Sequence, residues 1–167
     1  MNEIMLSVRP KWCELIASGQ KTIEVRKTKP KCNVPFKVYI YCTKQRVNGE
    51  ILLTYDKKIE GRNRGFRDVD DIPLAGKVIG EFVCKAILPI SITYSDINSK
   101  IALREFPYTC LTDKEIMDYL GNGKTGYGFH ISDLVIYDKP KDLSDFGMKR
   151  PPQSWCYVEK ERESNDE

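Results

Sequence analysis

Gly19-Gln20-Lys21-Thr22-Ile23-Glu24-Val25-Arg26 joins the end of a predicted helix directly to the start of a strand. Side chains on a strand alternate between two faces. Thr22, Glu24 and Arg26 therefore share one face, and Lys21, Ile23 and Val25 the other. Ile23 and Val25 call for a core, which leaves Glu24 and Arg26 to face a cleft, with Lys21 at the strand mouth able to swing either way. An ammonium, a carboxylate and a guanidinium within six residues can hold a polar ligand or move a proton. The plainer alternative is a half-exposed strand with its charges in water, the common fate of charged side chains.

Working outward, residues 4–8 (IMLSV) read as a short buried strand. Pro10 opens a helix over 10–18, with Trp12, Leu15 and Ile16 on one face and Gly19 as its stop. Strand, helix and strand follow with tight joints, bringing Ser7, Arg9 and Trp12 close to Lys21, Glu24 and Arg26. Residues 36–44 (FKVYIYCTK) alternate as a strand. Asn48-Gly49 signals a hairpin with a return strand over 50–55. Residues 57–71 read as a loop. Its Arg62, Arg64 and Arg67 around Phe66 would suit a nucleic-acid backbone, but five acids match five bases over 56–71, so a solvated loop is the simpler account.

Residues 76–90 form the longest strand-like run, and Gly80 within it marks a bulge or a close backbone approach. Glu81 is a lone carboxylate in that apolar setting, its plainer reading an outward-facing strand residue. Thr112 to Glu115 spell a capping box, with Leu111 and Ile116 as the hydrophobic staple, and the helix runs to Leu120 and stops at Gly121. Gly121 to Gly126 lack the order of a phosphate loop and read as a turn. Residues 127–137 are a strand pair or one long bent strand, in which His130 reads as a packed residue. Residues 138–150 are a loop, and 150–158 lead into a last short strand. One domain over 1–158 and a disordered acidic tail over 159–167 are expected. The fold class is α+β: a mixed β-barrel of five to six strands with helices packed outside.

The chain has 167 residues and a formal net charge of +3. The charge is uneven: ten Lys/Arg against three Asp/Glu in the first 46 residues, five acids against two bases in the last nine. A basic front half suits a phosphate-bearing partner. No apolar run approaches the roughly 18 residues of a membrane span. The N-terminus lacks the regions of a signal peptide. Six scattered cysteines without a C-x-x-C pair, and a single histidine, point to reduced thiols in a cytoplasmic protein, with no metal site and no cofactor. A monomer is expected.

LSVRPKWCELIASGQKTIEVRK, residues 6–27, resembles the opening signature of the ASCH domain, a branch of the PUA-like superfamily. Its G-x-K-x-x-E-x-R motif stands complete as Gly19, Lys21, Glu24 and Arg26. Residues 76–87 resemble the family's central barrel strand, and 111–120 and 150–160 resemble distal parts of longer bacterial and phage members. The resemblance implies a pseudo-barrel with a cleft between barrel and first helix, lined by the motif's Lys, Glu and Arg and accepting RNA or a nucleotide. Some small relatives are amidohydrolases of acetylated cytidine with a Lys-Thr-Glu set, and others are associated with ribonuclease activity. Lys21 matches the amidohydrolase lysine. The catalytic threonine falls at Glu24, a departure that Thr22, two positions earlier, does not repair, and Glu81 is the candidate for the glutamate.

Two main functions follow. As a binding module, Lys21 and Arg26 would pair with phosphate and Glu24 would accept from a base or ribose hydroxyl. Trp12, Tyr127 or Trp155 would offer a stacking face, with Ser7 and Arg9 completing the cleft. The ligand would be RNA or a nucleotide or nucleoside, with DNA as a further candidate. As a hydrolase acting on a modified nucleoside or on RNA, Lys21, Glu24 and Glu81 would be catalytic. Desolvation would help Lys21 shed its proton, and neighbouring carboxylates would oppose it. A protein-interaction domain is the third class.

Overall fold

A computed structural model describes residues 1–44, 46–47, 50–51, 54–55, 72–73, 75–95 and 107–159, with side chains undescribed between 45 and 74. Ten strands and two α-helices are described: β1 (Glu3–Val8), α1 (Pro10–Ala17), β2 (Ile23–Arg26), β3 (Phe36–Cys42), β4 (Arg46–Val47), β5 (Glu50–Ile51), β6 (Thr54–Tyr55), β7 (Ile72–Pro73), β8 (Lys77–Ile90), α2 (Asp113–Leu120), β9 (Gly126–Lys141) and β10 (Trp155–Tyr157).

Six of the strands form one curled sheet, a half-barrel, in the order β10-β1-β3-β8-β9-β2. β1 and β3 run parallel and the other neighbours antiparallel, so the sheet is mixed. The α+β expectation with a six-stranded mixed barrel holds. Ile4, Leu6, Val8, Phe36, Val38, Ile40, Phe82 and Phe129 fill the concave side, with Phe36 and Phe129 edge to face at 5.9 Å. A smaller core under α2 joins Val25, Ile90, Ile92, Ile116, Met117 and Leu120. A third cluster, around Met5, Tyr41 and Val78, packs with Leu143, Phe146 and Met148.

The ladder ends at β10 on one side and β2 on the other, so the barrel has a seam. α1 connects β1 to β2 across that side. Its buried residues are Pro10, Cys13 and Ile16. The expected face of Trp12, Leu15 and Ile16 is thus rotated, because Cys13 and Ile16, one turn apart, meet the sheet and leave Trp12 half-buried.

Other differences have local causes. The return strand over 50–55 is split: Glu50–Ile51 pairs with Arg46–Val47, while Thr54–Tyr55 pairs with Ile72–Pro73. β8 and β9 keep pairing through three register shifts. At Gly80 a Cβ would stand 2.4 Å from the Val135 carbonyl oxygen, so the close approach admits no side chain. The expected loop over 138–150 is ordered differently, since β9 continues to Lys141 and a 3-10 turn follows at Leu143–Phe146. The capping box forms as read, with Thr112 Oγ1 accepting from the Glu115 N–H and Glu115 from the Thr112 N–H. The 57–71 loop and the tail from 160 onward lie outside the described residues. Among the described residues, no helix is long and apolar enough to cross a membrane.

Candidate functional site

Gly19, at φ +78°, turns the chain out of α1, and the Lys21 N–H then donates to the Leu15 carbonyl. That bond fixes where β2 begins. β2 pairs with β9 from Ile23↔His130 to Arg26↔Tyr127. β2 is the last strand on that side of the described sheet, and just before it the Thr22 N–H donates to the Tyr108 carbonyl, from the turn that precedes α2.

Every residue of β2 is buried, and so is Lys21. Lys21 is 2% exposed, Glu24 5% and Arg26 7%. The reading of charges in water fails here because both faces of the strand are covered. Glu24 Oε1 accepts from Arg26 Nη2 at 2.7 Å and from Arg26 Nε at 3.1 Å. Glu24 Oε2 lies 3.3 Å from Lys21 Nζ, which also donates to the Thr109 carbonyl at 2.5 Å.

The donors can be accounted for one by one. A guanidinium carries five N–H groups. Arg26 donates from Nε and Nη2 to Glu24 and from Nη2 to the Ser7 carbonyl, and the carbonyl and hydroxyl of Ser154 lie 3.4 Å from Nη1. Its short hydrogen bonds are thus all made within the protein, which commits Nε and Nη2 to the fold before any phosphate. Arg26 ties β2 to β1 and to the approach to β10 across the seam. Lys21 Nζ donates to the Thr109 carbonyl and forms an ion pair with Glu24 Oε2, and among the described residues neither atom has a further hydrogen-bond partner. An ammonium and a carboxylate oxygen side by side thus keep hydrogen-bonding capacity.

Lys21 and Glu24 both line a cavity of about 470 Å³. One wall carries Ser7, Arg9, Trp12 and Thr43, and the Trp12 ring centroid lies 5.1 Å from Lys21 Nζ. Arg9 is exposed at the mouth. The facing wall is α2 and its lead-in, with Leu111, Glu115, Asp118 and Tyr119. Gln153 and Ser154 close one side, and the Ser7 hydroxyl donates to the Pro152 carbonyl at 2.6 Å, holding that segment down. The hydrogen bond from the Thr112 N–H holds Glu115 below the usual carboxylate range. Asp118 is paired with Lys114 at 2.5 Å. Cys13 sits close enough to feel the cluster. Burial pushes its thiol well up, with Cys42 and Glu24 adding to the effect, so it stays a neutral thiol rather than a nucleophile.

Ser7, Arg9, Trp12, Lys21, Glu24 and Arg26 therefore meet at one cavity. Tyr127, Trp155 and Glu81 do not line it. Tyr127 pairs with Arg26 across the ladder and lies beneath Lys29 Nζ, 5.4 Å from its ring centroid. Trp155 Nε1 donates to Thr28 Oγ1 at 3.0 Å. Glu81 accepts from Lys37 Nζ at 2.9 Å and from the Tyr137 hydroxyl at 2.5 Å. Burial would raise its carboxyl, but those two hydrogen bonds prevail and lower it. Sequence reasoning missed the α2 wall. The signal was present in Glu115, Asp118 and Tyr119, spaced i, i+3, i+4 on the exposed side of a well-capped helix. Among the described residues, no group of His, Cys, Asp or Glu side chains could hold a metal ion.

The family model described as the ASCH domain matches residues 6–120. Among solved structures, the chain is similar to a crystal structure of ASCH from Zymomonas mobilis, at 22% identity and a TM-score of 0.61, covering 95% of this chain and 89% of that one. A tyrosine-to-phenylalanine mutant of the same Zymomonas mobilis protein matches at 19% identity and a TM-score of 0.63, covering 96% and 92%. A serine-to-alanine mutant matches at 20% identity and 0.61, covering 95% and 89%. No curated protein matches the chain.

Proposed function

The chain belongs to the ASCH domain family, and from that premise we propose that its cavity seats one nucleotide or nucleoside unit of RNA. One observation carries the reading: Lys21 Nζ and Glu24 Oε2, 3.3 Å apart on buried side chains that line the cavity beside Trp12, have no further hydrogen-bond partner among the described residues. An adjacent donor and acceptor match the polar edge of a base or a ribose hydroxyl, and an indole face suits a flat ring. The cavity volume lies within the ~300–1,000 Å³ usual for small-molecule sites. The PUA-like fold, generally linked to RNA binding, supports the same reading. In this role Arg26 is a positioning residue, holding Glu24 in one orientation.

The test is calorimetric titration of the four ribonucleoside monophosphates into wild type and a Lys21→Met variant whose fold is checked by circular dichroism. Binding weakened by roughly tenfold or more, the equivalent of about 1.4 kcal/mol, is expected. Unchanged affinity in a folded variant would remove the cavity from consideration. Acetylated cytidine added to the same samples and followed for released acetate tests the hydrolytic alternative.

A further inference from the structure

Beyond the cavity, residues 27–31 leave β2 and cross the seam toward β10. Lys27, Lys29 and Lys31 are exposed and Pro30 is buried. The three lysines stand at alternate positions of a segment that bends at Lys27 and at Lys31. Neighbouring ones are at most about 7 Å apart along the backbone, a separation of the order found between successive phosphates of an extended single strand. None of the three has a carboxylate partner among the described residues.

Aromatic residues hold this segment along its length. Lys27 Nζ lies 5.1 Å from the Tyr119 ring centroid and Lys29 Nζ 5.4 Å from that of Tyr127. Trp155 anchors Thr28 through its indole N–H. The Lys31 N–H donates to the Tyr157 hydroxyl at 2.9 Å, and Trp155 and Tyr157 pack edge to face at 5.5 Å. Long lysine stems resting on rings have less rotamer freedom to lose when they meet an anion. Tyr119 belongs to both places: it lines the cavity and lies under Lys27.

We propose that residues 27–31, with Tyr119, Tyr127, Trp155 and Tyr157, form a track for the phosphate backbone of single-stranded RNA leading away from the cavity. The proposal rests on the cavity as the seat of one nucleotide, and makes the ligand a chain rather than a free monomer. Lys27, Lys29 and Lys31 meet successive phosphates, while the exposed Tyr119 and Tyr157 offer ring faces to neighbouring bases. An acidic peptide would satisfy the charges but would have no use for the rings.

The test compares wild type, Lys21→Met and the combined Lys27→Gln, Lys29→Gln, Lys31→Gln protein. Each is titrated with a labelled RNA of about eight nucleotides over about 50–200 mM salt, and with each ribonucleoside monophosphate. At about 0.7 per phosphate, losing three contacts lowers the salt slope for the oligomer by about 2 and weakens low-salt binding by an order of magnitude or more. Monophosphate affinity should be retained in the triple variant and lost in Lys21→Met. An oligomer affinity and slope unchanged in the folded triple variant would overturn the track, as would equally effective competition by poly-glutamate. Oligomer binding that needs the lysines, with no monophosphate binding by wild type, would sink the cavity reading and leave the track standing.

Discussion

Two glutamates in this protein, Glu24 and Glu81, each sit on a strand among apolar residues and each engage a lysine, yet they belong to different physical regimes. Glu24 lies between Lys21 and Arg26 with all three side chains almost fully buried. Glu81 lies on β8, about a quarter exposed, bound by Lys37 and Tyr137. Water can replace the partners of Glu81, and it cannot easily replace those of Glu24. Buried ion clusters are fragile in one direction: removing one member strands the others, whereas a half-exposed pair contributes little either way.

The largest expected effect comes from breaking the inner cluster. Arg26→Met removes five hydrogen bonds at once, leaves the Ser7 carbonyl without its donor and leaves Glu24 held by Lys21 alone. A loss of about 3–5 kcal/mol is expected in urea unfolding. A loss below about 1 kcal/mol would show that the two glutamates are more alike than their burial implies. Lys21→Met should cost less, about 1–3 kcal/mol, because Glu24 keeps its bidentate partner while the Thr109 carbonyl loses a donor. The larger loss in that variant is expected in ligand binding.

Glu81→Gln should change stability near neutral pH by less than about 1 kcal/mol. Its signature lies in acid. The folded-state carboxyl titrates below its ordinary value of 4.5. The stabilisation it provides is therefore complete above pH 4.5 and lost as pH falls through the lower folded value. The wild-type melting temperature should drop more steeply than that of Glu81→Gln below pH 4.5, and parallel curves would assign the acid limb elsewhere. The smallest effect concerns Cys84 on the same strand. Burial raises its thiol from 9.0 to about 11. Because the unfolded chain ionises first, stability is full below pH 9 and falls as pH rises toward 11. Cys84→Ala should show a shallower alkaline loss than wild type, and an equal slope would count against it.

The contrast also marks what the sequence could disclose. Features carried by neighbouring residues were legible: Pro10 starting α1, Gly19 stopping it, the Thr112–Glu115 capping box, and Gly80 as a close approach. The grouping of Ser7, Arg9, Trp12, Lys21, Glu24 and Arg26 followed from the tight joints between β1, α1 and β2. The burial of Lys21 and Arg26 did not, because Thr109 meets the first and Ser154 the second, and both are brought in by strand pairing and packing over long stretches of chain. Trp155 and Tyr127 illustrate the same limit. Aromatic type can be read locally, but whether a ring faces a cavity or braces the segment at 27–31 depends on how β9 and β10 pair. Glu81 illustrates it again, since the sequence does not show that Lys37 and Tyr137 from the neighbouring strands would bind its carboxylate.

The seam has a consequence for how the protein is made. β10 pairs with β1, so during synthesis β1 waits until residues 155–157 have been made before its outer edge is covered. Until residues 152–157 arrive, β1 presents unpaired backbone groups, the cavity lacks Gln153 and Ser154, and Arg26 lacks part of its clasp. An unfinished sheet edge of that kind is a template for wrong pairing. A chain halted before residue 150 is therefore expected to aggregate, and the cavity is completed only as synthesis passes Ser154.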